Sequence, residues 1–160
     1  YTNPKEYRGF VYVQIIKATL DDLDDLVFMG RNFFTEAAWG DVAAWNDDSA
    51  RAALQNLIES ENSILLVTKR EDITIGMVGA VLFPLWFNPS IKMAQEFFWY
   101  VKPEERKGTG VPLLKELEKQ AKEQGVQALA MLSVAHLPSL DSFYGRAGYR
   151  PSEKTFIKRL

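Results

Sequence analysis

The sequence predicts an α/β domain built on a central mixed β-sheet with helices on both faces. Two stretches carry that prediction. Residues 91–134 read as a strand, an amphipathic helix and a second strand, a connection that pairs its two strands in parallel. Residues 64–82 read as two apolar strands joined by the polar turn Lys69-Arg70-Glu71-Asp72, which makes an antiparallel hairpin. Parallel and antiparallel pairing in one sheet, with amphipathic helices before and after, gives the layered α/β arrangement.

The elements follow in order. Residues 1–9 are polar, include Pro4 and Gly9, and are expected to form a loose arm ahead of a single domain over 10–160. Phe10 to Lys17 alternates, with Val11, Val13 and Ile15 on one face, and reads as a strand. Thr19 is a fair N-cap for a helix reaching Phe34 or Ala37, with Leu20, Leu23, Leu26, Val27 and Gly30 as its buried stripe. Asp21, Asp22, Asp24 and Asp25 suit the positive end of that helix and read as a solvated face rather than a metal site. Residues 35–47 set Trp39 and Trp45 on either side of Gly40, as a packed loop or as a substrate wall. A second helix starts near Asp47, Asp48 or Ser49 and carries Ala52, Ala53, Leu54, Leu57 and Ile58.

The hairpin strands are Ile64 to Thr68 and Ile73 to Leu82, and Gly76 and Gly79 mark a kink or the close approach of a neighbour. Phe83-Pro84-Leu85-Trp86-Phe87-Asn88-Pro89 reads as an apolar loop because of its two prolines, and such a loop packs on core, partner or ligand. Ser90 to Val101 is the long central strand. A helix from about Thr109 to Gln124 has Pro112 in its first turn, where the missing N–H costs nothing, and Gly125 as its stop. Val111, Leu113, Leu114, Leu117 and Ala121 form its apolar stripe. Val126 to Val134 reads as a buried strand and Leu140 to Arg146 as a short helix. Tyr149 to Arg150 and Thr155 to Leu160 read as closing strands.

Composition narrows the function. The 160 residues are one domain's length with room for a core. A net charge of -2 argues against a nucleic-acid binder that relies on overall charge. With no cysteine, disulfides, thiol nucleophiles and cysteine metal sites are excluded; with His136 as the sole histidine, a His-rich zinc site is excluded too, so no metal is expected. No run approaches the ~18 apolar residues of a membrane span. The residues Tyr1 to Glu6 lack the pattern of a secretory signal, and a cytoplasmic setting is the expectation.

The chemistry concentrates where the central strand meets the following helix, at Glu104-Glu105-Arg106-Lys107-Gly108-Thr109-Gly110. A basic turn with alternate glycines leaves bare amides at the positive end of a helix, which suits a phosphate. The spacing fits neither a Walker A loop nor a dinucleotide fingerprint.

That context resembles the first motif of the GNAT superfamily of N-acetyltransferases. There a strand ends in Val, a free position and Pro, as Val101-Lys102-Pro103 does here. A glycine turn opens the helix, as Arg106 to Gly110 does, and a leucine pair follows, here Leu113-Leu114. Phe143-Tyr144-Gly145-Arg146-Ala147-Gly148-Tyr149 resembles the superfamily's C-terminal signature. Residues 86–101 are also similar to small phage-encoded members, which suggests a phage protein. One departure is Glu105, where Gln or Arg is usual.

The resemblance implies direct transfer of an acetyl group from acetyl-CoA to an amine. Arg106, Lys107, Gly108, Thr109 and Gly110 would bind the cofactor's pyrophosphate. A splay or bulge near Trp99, Tyr100 and Val101 would receive the pantetheine arm. Tyr144 would protonate the departing thiolate and Glu96 would act as base, directly or through water; Gln95, His136 and Ser133 are further polar candidates. The acceptor is an amine on a small molecule or a protein, with neither nucleic acid nor membrane as partner, and the apolar loop or last strand suggests a homodimer surface. The alternative reading is a GNAT-fold binding protein, weak or inactive in catalysis, that works through a protein partner.

Overall fold

Five strands form one sheet in the computed structural model, which describes residues 13–160. They are β1 (Val13–Lys17), β2 (Ser63–Arg70), β3 (Ile73–Leu85), β4 (Asn88–Val101) and β5 (Ala128–Ala130), side by side in that order. The first four pair antiparallel, and β5 lies parallel to β4, so the sheet is mixed as expected. The expected arm at 1–9 and the opening of the first strand, with Phe10 and Val11, lie outside the described residues.

Helices cover both faces. The sheet's period of two sends Leu65, Val67, Met77 and Tyr100 toward α1 (Leu23–Glu36) and α2 (Asp47–Glu59), where they meet Leu26, Val27, Met29 and Leu54. Ile64, Leu66, Val78 and Ala80 face the other way, onto Leu113, Leu114, Leu117 and Ala121 of α3 (Arg106–Glu123). The short helix α4 (Pro138–Arg146) adds Phe143 to that second core. β2 is buried on both sides, which is why it reads as a continuous apolar run. The two strand glycines are sites of close approach: a Cβ at Gly76 would lie 3.2 Å from Val101, and one at Gly79 would lie 2.6 Å from the Phe98 ring.

Several expectations need correction. The segment 83–89 is not a loop. β3 runs to Leu85, β4 begins at Asn88, and only Trp86 and Phe87 form the turn. Beyond Val81 this hairpin has lost β2, and before Met93 it has not met β5, so Pro84 and Pro89 sit in a two-stranded ribbon that tolerates a missing N–H. The strand expected over 126–134 is only Ala128–Ala130, and residues 149–160 contain no strand. Strand-forming residues without a partner ladder stay single, whatever their propensity.

Leu20 lies in a 3-10 turn and is exposed rather than on the buried stripe, whereas Met29 is fully buried. Asp22 departs from the solvated face. It is 2% exposed, accepts the Thr19 N–H at 2.8 Å and pairs with Lys69. Trp45 belongs to a packed loop: its ring covers Gly30, lies 5.6 Å from the Phe34 ring, and its N–H donates to Asp47 at 2.7 Å. Trp39, in the turn Trp39–Asp41, stays exposed.

Candidate functional site

The site begins where β4 loses a neighbour. Its ladder to β5 covers only Met93, Ala94 and Gln95. On the other side, Gly79 opposes Phe98 and Ala80 opposes Glu96, so Phe97 is an extra, bulged residue. A single inserted residue reverses the alternation. Ala94 before the bulge and Trp99 after it therefore pack into the same core, on the α3 side. Phe98 turns to the α1 side, edge-on to Phe33 with ring centres 6.5 Å apart. The bulge thus precedes the Trp99–Val101 stretch where it was expected, while those three residues fall on the edge beyond the β5 ladder.

Glu96 and Tyr144 converge at this break. Glu96 is 3% exposed, and its Oε2 accepts the Leu132 N–H at 2.9 Å. Burial pushes its pKa up to about 7, against a small opposing effect of that hydrogen bond. Tyr144 is 7% exposed, and its hydroxyl donates to the Leu132 carbonyl at 3.1 Å. Burial raises its pKa above the ordinary phenol value, with the Glu96 and Asp141 charges adding to the shift. One residue's two backbone groups are thus taken by two side chains. Leu132 lies beyond the β5 ladder, and its N–H is engaged by a side chain rather than by a strand. Gln95, by contrast, is only half-buried.

The glycine turn lies next along the chain. Pro103–Glu105 forms a 3-10 turn, Lys107 is extended, and Gly108 has φ of +88°, a conformation that favours glycine. The helix is regular from Thr109 onward, with Pro112 in its first turns as expected. Glu105 does not face the turn unopposed, since Arg70 on β2 pairs with it at 2.9 Å. Arg106 makes three contacts. Its Nε donates to the Val101 carbonyl at 2.9 Å, its Nη2 reaches both Glu36 oxygens at 2.8 and 2.7 Å, and the guanidinium lies 5.6 Å from the Tyr100 ring centre. Lys107 is exposed.

Two cavities meet here. The first, about 280 Å³, lies between the turn and α4 and is lined by Trp99, Val101, Arg106, Gly108, Gly110, Val111, Leu140 and Phe143. Val111, expected in the helix's buried stripe, instead faces this space. Gly110 lets the turn close on Trp99, since a Cβ there would be 3.2 Å from the indole. The second, about 160 Å³, is bounded by the end of α1, by Trp99, Tyr100 and Val101, and by Val134, Leu137 and Leu140. Trp99, Val101, Arg106 and Leu140 line both. The Trp99 indole N–H is buried without a hydrogen-bond partner among the described residues. Glu96 and Tyr144 are not among the residues that line these two cavities.

The other polar candidates do not join the cluster. Ser133 bonds Asp141 at the start of α4, and His136 is exposed in the turn before it. Sequence reasoning missed Glu36, Arg70 and the Leu132 backbone. None stands in a motif, and each reaches the site only through folding.

The model of the acetyltransferase (GNAT) family matches residues 31–149. No curated protein sequence matches the chain. Among solved structures, the fold is similar to a transcriptional regulator from Bacillus halodurans, with TM-score 0.78 and 20% identity over 93% of this chain and 100% of that one. It is similar to a predicted acetyltransferase from Clostridium acetobutylicum, solved with acetyl-CoA, with TM-score 0.74 and 14% identity over 92% and 96% of the two chains. An aminoglycoside acetyltransferase from an uncultured soil metagenomic sample, solved with trehalose, gives TM-score 0.73 and 16% identity over 93% and 97%. At these identities the likeness is one of fold.

Proposed function

The chain belongs to the acetyltransferase (GNAT) family, and from that premise we propose that it transfers the acetyl group of acetyl-CoA to an amine by direct attack. The observation that carries the reading is the convergence of Glu96 and Tyr144 on Leu132, at the point where β4 and β5 part.

The residues present fit the cofactor. The amides from Arg106 to Gly110, at the positive end of α3, suit its pyrophosphate, and Gly108 leaves that approach open, with nothing within 4 Å of where a Cβ would stand. The edge of β4 beyond the β5 ladder, at Trp99 and Val101, suits backbone hydrogen bonds to the pantetheine arm, although the Val101 carbonyl already accepts from Arg106. Acetyl-CoA supplies an activated acyl carbon with a thiolate as leaving group. The amine nitrogen bonds to that carbon and the carbon–sulfur bond breaks. Tyr144 gives its proton to the sulfur, and Glu96 accepts the proton lost by the amine, directly or through water. Tyr144 is protonated at neutral pH, as any phenol is, and the upward shift from burial makes it a weak acid that gives up its proton only to the thiolate as that forms. Glu96, titrating at about 7, is available as a base in the neutral range.

The second reading is a binding protein that has lost turnover. One observation favours it: neither Glu96 nor Tyr144 lines either of the two cavities described above. Calorimetric titration with acetyl-CoA, followed by thiol release over a panel of amines, separates the two. Turnover is expected, and Tyr144→Phe should lower it about 100-fold or more while leaving CoA affinity unchanged. Full turnover in that variant removes Tyr144 as the acid. Absence of CoA binding at millimolar ligand removes the enzyme.

A further inference from the structure

We propose that Glu36 is the recognition group for a protonated amino group of the acceptor, and that Arg106 masks it until the cofactor is bound. The inference rests on the acyltransferase reading above and adds a substrate class and a binding order to it.

Glu36 is the last residue of α1 and stands in the wall of the second cavity. The rest of that wall is mostly aromatic and aliphatic, with Phe33, Ala37, Trp99 and Leu137 among its residues. Glu36 is the sole carboxylate there, and Arg106 the sole cation. Both Glu36 oxygens are occupied by one nitrogen of Arg106. An ammonium entering this cavity meets a carboxylate already neutralised.

Arg106 is also part of the other cavity, beside Gly108 and Gly110, where the pyrophosphate belongs. A diphosphate brings at least two negative charges against the one on Glu36, and it competes for the same guanidinium. Arg106 need not leave the turn to respond, because its Nε is held separately by the Val101 carbonyl and its plane rests on Tyr100. Only the Nη2 contact to Glu36 must weaken. That leaves a carboxylate, still 41% exposed, with no cation beside it among mostly apolar walls, and a second cation can take the vacated place. The acceptor's ammonium is that cation. An acceptor with two amino groups can keep one protonated on Glu36 while the other attacks. Cofactor first and acceptor second follows from the shared arginine.

The masking makes an unusual demand: removing the carboxylate should improve cofactor binding. Glu36→Gln is expected to bind CoA about twofold to fivefold tighter than the parent chain, the size of effect that half-exposed ion pairs have. Butane-1,4-diamine, titrated by calorimetry, is expected to bind the CoA-loaded parent chain, to bind the CoA-free chain about tenfold more weakly, and to lose its binding to CoA-loaded Glu36→Gln. Butane-1,4-diol, the neutral comparison, should bind none of them. Unchanged or weaker CoA binding by Glu36→Gln overturns the masking. Diamine affinity that does not depend on CoA, or does not depend on Glu36, overturns the recognition role. If the parent chain itself fails to bind CoA, the acyltransferase reading falls first and this inference falls with it, whereas CoA binding with an inert Glu36 leaves that reading standing.

Discussion

β4 is one strand with two different environments. At Met93, Ala94 and Gln95 it is hydrogen-bonded on both sides, to β3 and to β5. From Glu96 onward the β5 ladder is gone, and the strand carries a bulge, a buried carboxylate and an unpartnered indole N–H. The stretch from Met93 to Gln95 is ordinary sheet, in register with both neighbours. The second half breaks three rules of a stable sheet within a few residues. Such departures cluster where a protein gives up stability for function. The contrast supports the proposed site on grounds separate from any motif, and it can be tested by changing each half in turn.

The largest effect is expected at Glu96. Its pKa of about 7 stands above the ordinary 4.5 of a glutamate because the folded chain buries the carboxyl. The proton is thus favoured by the folded state. The stability this contributes is complete below pH 4.5 and is lost as pH rises through 7, a change of about 3 kcal/mol in the limit. Glu96→Gln keeps an acceptor for the Leu132 N–H and cannot ionise. The variant should match the parent chain near pH 4 and melt several degrees higher at pH 8. Its turnover should fall about 100-fold or more, and the rise of kcat/KM through pH 7 should disappear. A variant that is less stable at pH 8 would show that the ionised carboxylate is well satisfied, and that this half of β4 carries no strain.

Much of this contrast was not legible in the sequence. The two faces of the sheet were, because Leu65 and Val67 against Ile64 and Leu66 need only a period of two. So was the turn, because Gly108 at positive φ and Pro112 in the first turns of α3 are local requirements with local signatures. The end of β5 was not. Residues 131–134 look like strand, and only the side chains of Glu96 and Tyr144, distant in sequence, claim the Leu132 backbone. The hairpin at 83–89 was hidden for a related reason: proline is a breaker only where both edges of a strand are paired, and pairing is not local. Glu105 shows in the sequence only as a departure from the motif, because Arg70, its partner, comes to it through folding.

A smaller effect is expected where the bulge meets β3. Gly79 has no side chain, and the Phe98 ring fills the space, 2.6 Å from where a Cβ would stand. Gly79→Ala must displace that ring, which packs on Phe33 and against the α1 core. Overpacking of this kind costs about 1–3 kcal/mol, and because the obstruction is the far end of a side chain the lower part of that range applies. Denaturant melting should show the loss as a lower midpoint with an unchanged slope. A neutral or stabilising result would mean that Phe98 has room to turn, and that the bulge rather than Gly79 sets its direction.

The smallest effect is expected at the far end of the same strand. Trp86 and Phe87 cap the hairpin, are 89% and 66% exposed, and lie edge-to-face with ring centres 5.4 Å apart. The ribbon beneath them is paired at Phe83 and Pro84, and a register shift between Pro84 and Leu85 separates that pairing from the tip. Replacing both aromatics by Ser removes that mutual contact and little else, and the midpoint of unfolding should move by no more than about 0.5 kcal/mol. Binding of CoA should not change at all, because the turn and both cavities lie at the other end of β4. A loss of CoA affinity in this variant would break the comparison outright. It would mean that the two halves of β4 are coupled along the strand, and that the bulge at Phe97 transmits the state of the hairpin instead of insulating the site from it.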